Sequence, residues 1–353
     1  MLSMQTVISQ LRTEGYLNNE VTDSELETLL APDPNTIPWY IRGAVGLSGW
    51  IAALFIVGFV IVGLGTMYKF TESALILVLI GTGLCMAMTA VKRYWLESIF
   101  IGQTSLAINL AGQLLIIVGV GAETEEIIAT AIATIVLQVI MIQIYPDPIQ
   151  RFLSVLMIVG ALFVLMEEWK FYEAIHLLVI ILATISLIIW AVDSKFVSRN
   201  LDAISRPIGF GTVVALFGLL IISTLEDSHV VYWWFSTSGL LLLLLGLMAY
   251  ITHHAEFELP QSMLIGLVGG TVLLTLLTAQ APGIMAACLI VILAFWRGDT
   301  ILMGVAIAFL TLFISAFYYN LNLTLLQKSL MLLASGGVCL GLRYFLKSTA
   351  NEN

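Results

Sequence analysis

The stretch that decides the fold is FIGQTSLAINLAGQLLIIVGVG, residues 100–121, where small and polar side chains interrupt a continuous apolar run. At 100° per residue, Gly102, Ser105, Asn109 and Gln113 fall within one sector of about 80° on a helix. Amides in hydrocarbon are costly unless they face a partner helix or water. The stretch therefore predicts a membrane-spanning helix inside a bundle, with its polar stripe turned away from lipid.

The composition of the whole chain predicts the same class of protein. Of its 353 residues, 60% are hydrophobic and 10% are charged, and the mean hydropathy is +1.02. Because soluble domains carry about 25% charged residues, we expect an all-α polytopic transmembrane helix bundle. The long apolar runs do not fit a β-barrel, whose strands alternate between apolar and polar residues. The expected partner is the lipid bilayer, and no basic patch for nucleic acid is present.

Apolar runs bounded by charged, aromatic and proline residues predict about twelve spans. They cover residues 43–68, 73–91, 100–121, 127–145, 152–166, 174–192, 207–224, 233–252, 261–280, 284–296, 300–319 and 328–346. Spans five and ten are shorter than the roughly 20 residues that a bilayer requires. We therefore expect these two helices to be either the least exposed to lipid or the most perturbed in their geometry. The loop 193–206 divides the bundle into two six-span halves, 43–192 and 207–346. A re-entrant hairpin in place of two spans would give ten.

Residues 1–42 are predicted to form a small cytoplasmic segment that ends in a proline-rich linker. Met4, Val7, Ile8 and Leu11 have the spacing of one amphipathic helical face. The segment is too short for a core of its own, so it either docks on the membrane surface or the bundle, or forms a mobile leader. The first apolar run begins too late for a signal peptide, and we expect it to remain in the mature protein.

The distribution of Lys and Arg predicts the orientation. With the N-terminus in the cytoplasm, the outside loops hold Lys69, Lys170 and Lys328, which leaves eleven of the fourteen basic residues inside. Because cytoplasmic loops are enriched in Lys and Arg, both termini are predicted to lie in the cytoplasm.

The polar stripe of the third span supplies the first candidate site. Gln103, Ser105, Asn109 and Gln113 could line a path for a small solute or ion. The alternative is that they are interhelical hydrogen bonds that hold closely packed helices together, which is common in membrane proteins.

A second candidate site consists of charged groups near the predicted outer surface. Glu168 and His176 lie on either side of the turn before span six, and Lys328 departs from the positive-inside trend. A carboxylate and an imidazole at this depth could relay protons. The alternative is that these side chains have no such role and extend to the membrane interface, where their charged ends meet water. Glu168 and His176 are too far apart along one helix to touch directly.

No catalytic, cofactor or metal site is predicted from sequence motifs. The chain holds no Walker loop, GxSxG elbow, HExxH motif or Rossmann fingerprint. Its three cysteines lie singly within apolar spans, which is typical of buried small residues. An enzyme is therefore the least supported class, because no acid, base and nucleophile are clustered.

Seven motifs along the chain form a recognisable set: Trp39-Tyr-Ile-Arg42, Gly49-Trp-Ile-Ala-Ala-Leu-Phe55, Gln103 with Gly112-Gln113, Gly298-Asp299, Tyr318-Tyr319, Thr324-Leu-Leu-Gln-Lys328-Ser329 and Arg343. Together they resemble a bacterial membrane-protein family of the domain of unknown function 4401 type. The resemblance covers essentially the whole chain beyond the linker and implies a multi-pass protein of the bacterial cytoplasmic membrane. It carries over no catalytic or binding residues.

Two function classes fit these observations. One is a transporter-like protein that uses the buried polar face of span three. The other is a non-transport scaffold or partner-binding membrane protein in which the stripe is structural. A water-accessible cavity that reaches Asn109 and Gln113 would favour transport, and a dry, fully packed interface would favour the scaffold.

Overall fold

The computed structural model describes residues 43–55, 58, 74–94, 99–192, 201–222, 232–254 and 261–320, and isolated positions between 326 and 341. Within these residues the chain forms eleven helices. They are α1 (Gly43–Phe55), α2 (Leu75–Tyr94), α3 (Ile99–Thr124), α4 (Ile127–Ile144), α5 (Pro148–Glu168), α6 (Ala174–Ala191), α7 (Asp202–Ile221), α8 (Trp234–His254), α9 (Gln261–Leu277), α10 (Pro282–Arg297) and α11 (Thr300–Asn320).

Eight of the described helices are long and apolar enough to cross a membrane, and α1, α9 and α10 are shorter apolar helices. The all-α class is therefore confirmed, and the helices are those of a multi-pass membrane protein. The N-terminal segment, the end of the first predicted span and most of the twelfth lie outside the described residues. The count of about twelve spans, the two halves and the cytoplasmic N-terminus stay predictions.

The fifth span is longer than predicted. Helix α5 has 21 residues because Pro148 opens it instead of breaking the chain before it. Asp147 caps the helix, since its Oδ1 accepts hydrogen bonds from the backbone N–H groups of Ile149 at 2.9 Å and Gln150 at 3.4 Å. Proline suits this first position because its missing N–H has no partner there in any helix. The prediction of a short fifth span was wrong.

The tenth span is short and central, as predicted. Helix α10 has 16 residues, and its first six, Pro282–Ala287, are buried without interruption. The ring of Phe313 in α11 lies against Gly283, where a Cβ would come within 2.6 Å of the ring. Helix α10 therefore lies in the main apolar core, which it shares with α5, α6, α7, α8 and α11.

Helix α7 begins earlier than predicted, so that Pro207 lies inside it and not in its first turn. A proline cannot donate to the carbonyl four residues earlier, which here is Ala203. Arg151 of α5 supplies the missing donor, since its guanidinium donates to the Ala203 carbonyl at 2.7 Å. Its Nε also donates to the carbonyl of Ile142 at 3.2 Å, near the end of α4. One arginine thereby joins α4, α5 and α7.

Close packing against α2 fixes the orientation of α3. A Cβ on Gly112 would lie 2.9 Å from the Gly81 carbonyl oxygen and 3.0 Å from the sulfur of Cys85. Small residues let membrane helices approach this closely. Because this face of α3 is occupied by α2, the face that carries Asn109 and Gln113 is turned towards α4 and α5.

Candidate functional site: a buried amide cluster

Three helices place polar side chains in one enclosed group, called here the amide cluster. Helix α3 contributes Asn109 and Gln113, α4 contributes Gln138, and α5 contributes Gln150 and Ser154. Each of the five is at most 1% exposed. The cluster is therefore sealed from solvent, and its polar atoms depend on one another for hydrogen bonds.

Gln150 is the centre of the cluster. Its Oε1 accepts from Asn109 Nδ2 at 3.3 Å and from Gln113 Nε2 at 3.0 Å. Its Nε2 donates to Gln113 Oε1 at 3.2 Å and to Ser154 Oγ at 3.0 Å. Gln113 and Gln150 thus form a reciprocal amide pair between α3 and α5, which fixes how these two helices are placed relative to one another.

Gln138 closes the cluster from α4. Its Nε2 donates to Gln113 Oε1 at 2.9 Å, and its Oε1 accepts from Ser154 Oγ at 2.7 Å. A longer contact of 3.4 Å joins Gln150 Nε2 to Gln138 Oε1. The three glutamine carbonyls consequently accept two hydrogen bonds each.

Asn109 differs from the glutamines. Its Oδ1 is buried and has no hydrogen-bond partner among the described residues. An amide oxygen can accept two hydrogen bonds, so this atom keeps its full accepting capacity. A buried polar atom left without a partner is unfavourable by about 1–3 kcal/mol, which makes it the one place in the cluster where a donor would be gained.

Towards the predicted cytoplasmic end, Ser105 and Tyr145 extend the row of polar side chains beyond the amide cluster. The hydroxyls of Ser105 and Tyr145 lie 3.0 Å apart. Tyr145 is in the turn between α4 and α5, where burial raises its pKa to about 12, so the hydroxyl keeps its proton. Two residues later Asp147 forms an ion pair with Lys92 at 2.8 Å, and both side chains are largely buried. This ion pair covers the predicted inner end of the cluster.

Towards the opposite end, a cavity of about 380 Å³ lies between α4 and α5. The exposed Glu125 and Glu126 border it on one side, and Thr134 and Met157 border it at depth. The sulfur of Met157 accepts a hydrogen bond from Gln138 Nε2 at 3.2 Å. Met157 therefore lies between this cavity and Gln138 of the amide cluster.

The structure divides the residues that were predicted to form a polar path. Ser105, Asn109 and Gln113 are buried and face inward, as the spacing of the stripe predicted. Gln103 lies on another face of α3, where its Oε1 accepts from the indole Nε1 of Trp50 in α1 at 3.2 Å. Whether these residues form a path for a solute stays a prediction.

The second candidate site was predicted to contain Glu168, His176 and Lys328, whereas the structure gives His176 other partners. His176 has Glu173 and Ser236 as partners, at 2.9 Å and 2.8 Å. Glu168 is exposed at the end of α5, and Lys328 lies outside the described residues. Their role as a proton site stays a prediction.

Sequence reasoning missed the part of the cluster that α5 contributes. Gln150 precedes the predicted fifth span, 152–166, and Ser154 lies near its beginning. The signal was present in Asp147-Pro148, an N-cap followed by a first-turn proline. A helix that begins there places Gln150 and Ser154 four residues apart on one face.

Comparison with known families agrees with the motifs noted in the sequence. The family model described as Domain of unknown function (DUF4401) matches residues 38–349, which is most of the chain. The chain belongs to the DUF4401 family. No curated protein and no solved structure matches the chain. The DUF4401 match covers all of the amide cluster but assigns no activity to it.

Proposed function

We propose that the protein carries a small hydrogen-bonding solute or ion across the bacterial cytoplasmic membrane, through the amide cluster, with both termini in the cytoplasm. The observation that carries the proposal is the alignment of three features along α3, α4 and α5. A cavity ends at Met157, the amide cluster begins at Gln138 behind it, and Ser105 and Tyr145 continue towards the predicted inner surface.

The vacant acceptor of Asn109 supports the same proposal. Helix packing requires only paired polar groups, and the glutamines of the cluster are paired. An oxygen held without a donor inside this group offers a bond to a solute that carries one. The cluster itself holds no charged side chain, which suits a neutral solute or a small ion better than a multivalent one.

Both ends of this route are closed. Met157 separates the cavity from Gln138, and the Lys92–Asp147 ion pair covers the inner end. The structure is consequently interpreted as an occluded state. Transport would require Met157 to move away from Gln138 on one side and the ion pair to separate on the other.

The second candidate is a non-transport scaffold. The observation in its favour is that Asn109, Gln113, Gln138 and Gln150 are essentially unexposed and that the cavity stops short of Asn109 and Gln113. A dry interface of this kind is what structural hydrogen bonding between helices requires. By the criterion stated for the sequence, this dry interface favours the scaffold. An occluded transport site has the same exposure, so activity must separate the two candidates.

The test is a flux measurement on purified protein in liposomes. Stopped-flow light scattering reports passage of water, urea and glycerol, and an entrapped pH-sensitive dye reports protons. We expect the native protein to pass at least one of these, and Asn109→Leu with Gln113→Leu to abolish that flux while the protein stays folded. Gln103→Leu is the matched control, because it removes an amide from the same helix outside the cluster.

Two results would overturn the proposal. One is a native protein that passes none of these solutes above the rate of empty liposomes. The other is a folded double variant that retains the full native flux. Either result would leave the scaffold as the function that the geometry supports.

A further inference from the structure

A second polar group lies away from the amide cluster, where α6 and α8 begin. The ring of His176 is buried, with Nδ1 2.8 Å from the hydroxyl of Ser236 and Nε2 2.9 Å from a carboxylate oxygen of Glu173. Its ring also packs edge-on against Trp233, with 5.3 Å between the ring centroids. These contacts hold the imidazole in place, and through it the carboxylate of Glu173.

Glu173 joins this buried group to an open cavity. Its side chain is 48% exposed, so the carboxylate is only partly covered by the histidine. It borders a cavity of about 470 Å³, whose other walls are His176, Leu177, Ile180, Tyr232 and Phe235. The cavity therefore has one acidic end, aromatic side chains beside it, and an aliphatic wall on α6.

The backbone at Tyr232 is a further unusual feature of this cavity. Tyr232 has a φ of 61°, in the left-handed region that a bulky side chain rarely adopts. Such conformations concentrate at binding sites, where surrounding contacts maintain them. This one places Tyr232 beside the cavity at the turn that begins α8.

The surrounding surface indicates where a ligand would come from. Leu177 and Ile181 of α6 are exposed apolar side chains on this flank. In a membrane helix such a flank is expected to face lipid. A ligand of this cavity would therefore reach it from the lipid phase and leave its hydrocarbon part among these residues.

The chemistry of the cavity selects the head of such a ligand. A carboxylate attracts a cation, and aromatic faces bind ammonium groups through the negative potential of their rings. We propose that this cavity binds an amphiphile with an ammonium head and a hydrocarbon tail, the head on Glu173 between Tyr232 and Phe235 and the tail along Leu177 and Ile180. This site is independent of the amide cluster and of the proposed transport.

The test is equilibrium binding of radiolabelled dodecyltrimethylammonium to the full-length protein in lipid nanodiscs, with uptake by empty nanodiscs subtracted. We expect saturable binding to the native protein and at least tenfold weaker binding to Glu173→Gln. The glutamine oxygen can still accept from His176, so the buried histidine keeps its partner. Glu168→Gln is the matched control, an exposed carboxylate near the same end of the bundle, and should bind like the native protein.

Competition separates the head from the tail. Unlabelled tetramethylammonium, which lacks the tail, and dodecanol, which lacks the charge, should both compete at least tenfold less well than the unlabelled probe. Phe235→Leu provides a second variant, which should weaken the probe several-fold if Glu173→Gln does not fold. Non-saturable binding, equal binding by Glu173→Gln, or equal competition by dodecanol would overturn the proposal.

Discussion

Replacement of Arg151 by methionine should destabilise the protein, and the additional replacement of Pro207 by alanine should recover part of the lost stability. Arg151→Met keeps the aliphatic stem but removes the donors to the carbonyls of Ala203 and Ile142. A buried acceptor left without a donor is unfavourable by about 1–3 kcal/mol. Ala203 is exposed, Ile142 is only partly buried and both hydrogen bonds are partly buried, so water can replace part of each lost bond. We therefore expect a loss near the lower end of that range, about 2 kcal/mol for the two acceptors.

Pro207→Ala supplies the backbone N–H that α7 lacks opposite the Ala203 carbonyl. In the Arg151→Met background this N–H should satisfy one of the two acceptors that the arginine no longer reaches, and recover about 1 kcal/mol. In the native background the same carbonyl already accepts from Arg151. The gain from Pro207→Ala should therefore be larger in the methionine background, and the two substitutions should not be additive.

The measurement is a double-mutant cycle from the free energy of unfolding in mixed detergent micelles, followed by the loss of helical circular dichroism. The single variant Pro207→Ala measures how much stability changes when the proline is replaced while Arg151 is present. Subtracting this change leaves only the coupling between the two residues. We expect a coupling of at least about 1 kcal/mol between Arg151 and Pro207. Additive effects within about 0.5 kcal/mol would refute the conclusion that the arginine replaces the missing donor.

Three further substitutions test the packing and the ends of the cluster, each by the same unfolding measurement. Gly81→Ala should cost about 1–3 kcal/mol, because the new methyl meets a backbone carbonyl of α3, whereas Gly83→Ala has open space and should be neutral or stabilising. Gln150→Leu should cost at least about 2 kcal/mol, because it leaves several amide groups without partners. Lys92→Met should cost about 3 kcal/mol, because it leaves the carboxylate of Asp147 buried and unpaired, and adding Asp147→Asn should recover most of it.

The sequence predicted the all-α class and the inward face of α3, because both depend on local features. Polar side chains at helical spacing in an apolar run can be placed relative to lipid without knowing their partners. The partners themselves could not be predicted. Gln113 and Gln150 are 37 positions apart, and only the tertiary packing of α3 on α5 brings their amides together.

The same limit explains the errors at proline. The predicted fifth span begins four residues after Pro148, and the predicted seventh span begins at Pro207, whereas α5 begins at Pro148 itself and α7 begins at Asp202. Pro148 begins α5 because Asp147 caps it. Pro207 is tolerated within α7 because Arg151, on a different helix, provides the missing donor. The role of Pro148 therefore follows from its neighbours in the sequence. The contact that compensates for Pro207 depends on the tertiary fold.

The most direct test of the proposed transport is whether Asn109 meets water in the working protein. Asn109→Cys, in a background with its native cysteines replaced, would be exposed in liposomes to a small water-soluble methanethiosulfonate reagent. The proposal predicts that the thiol reacts within minutes and that Met157→Ala accelerates the reaction at least several-fold. A thiol at this position that stays unreactive for hours in both backgrounds, in protein that remains folded, would contradict the proposal and establish the amide cluster as a dry helix contact.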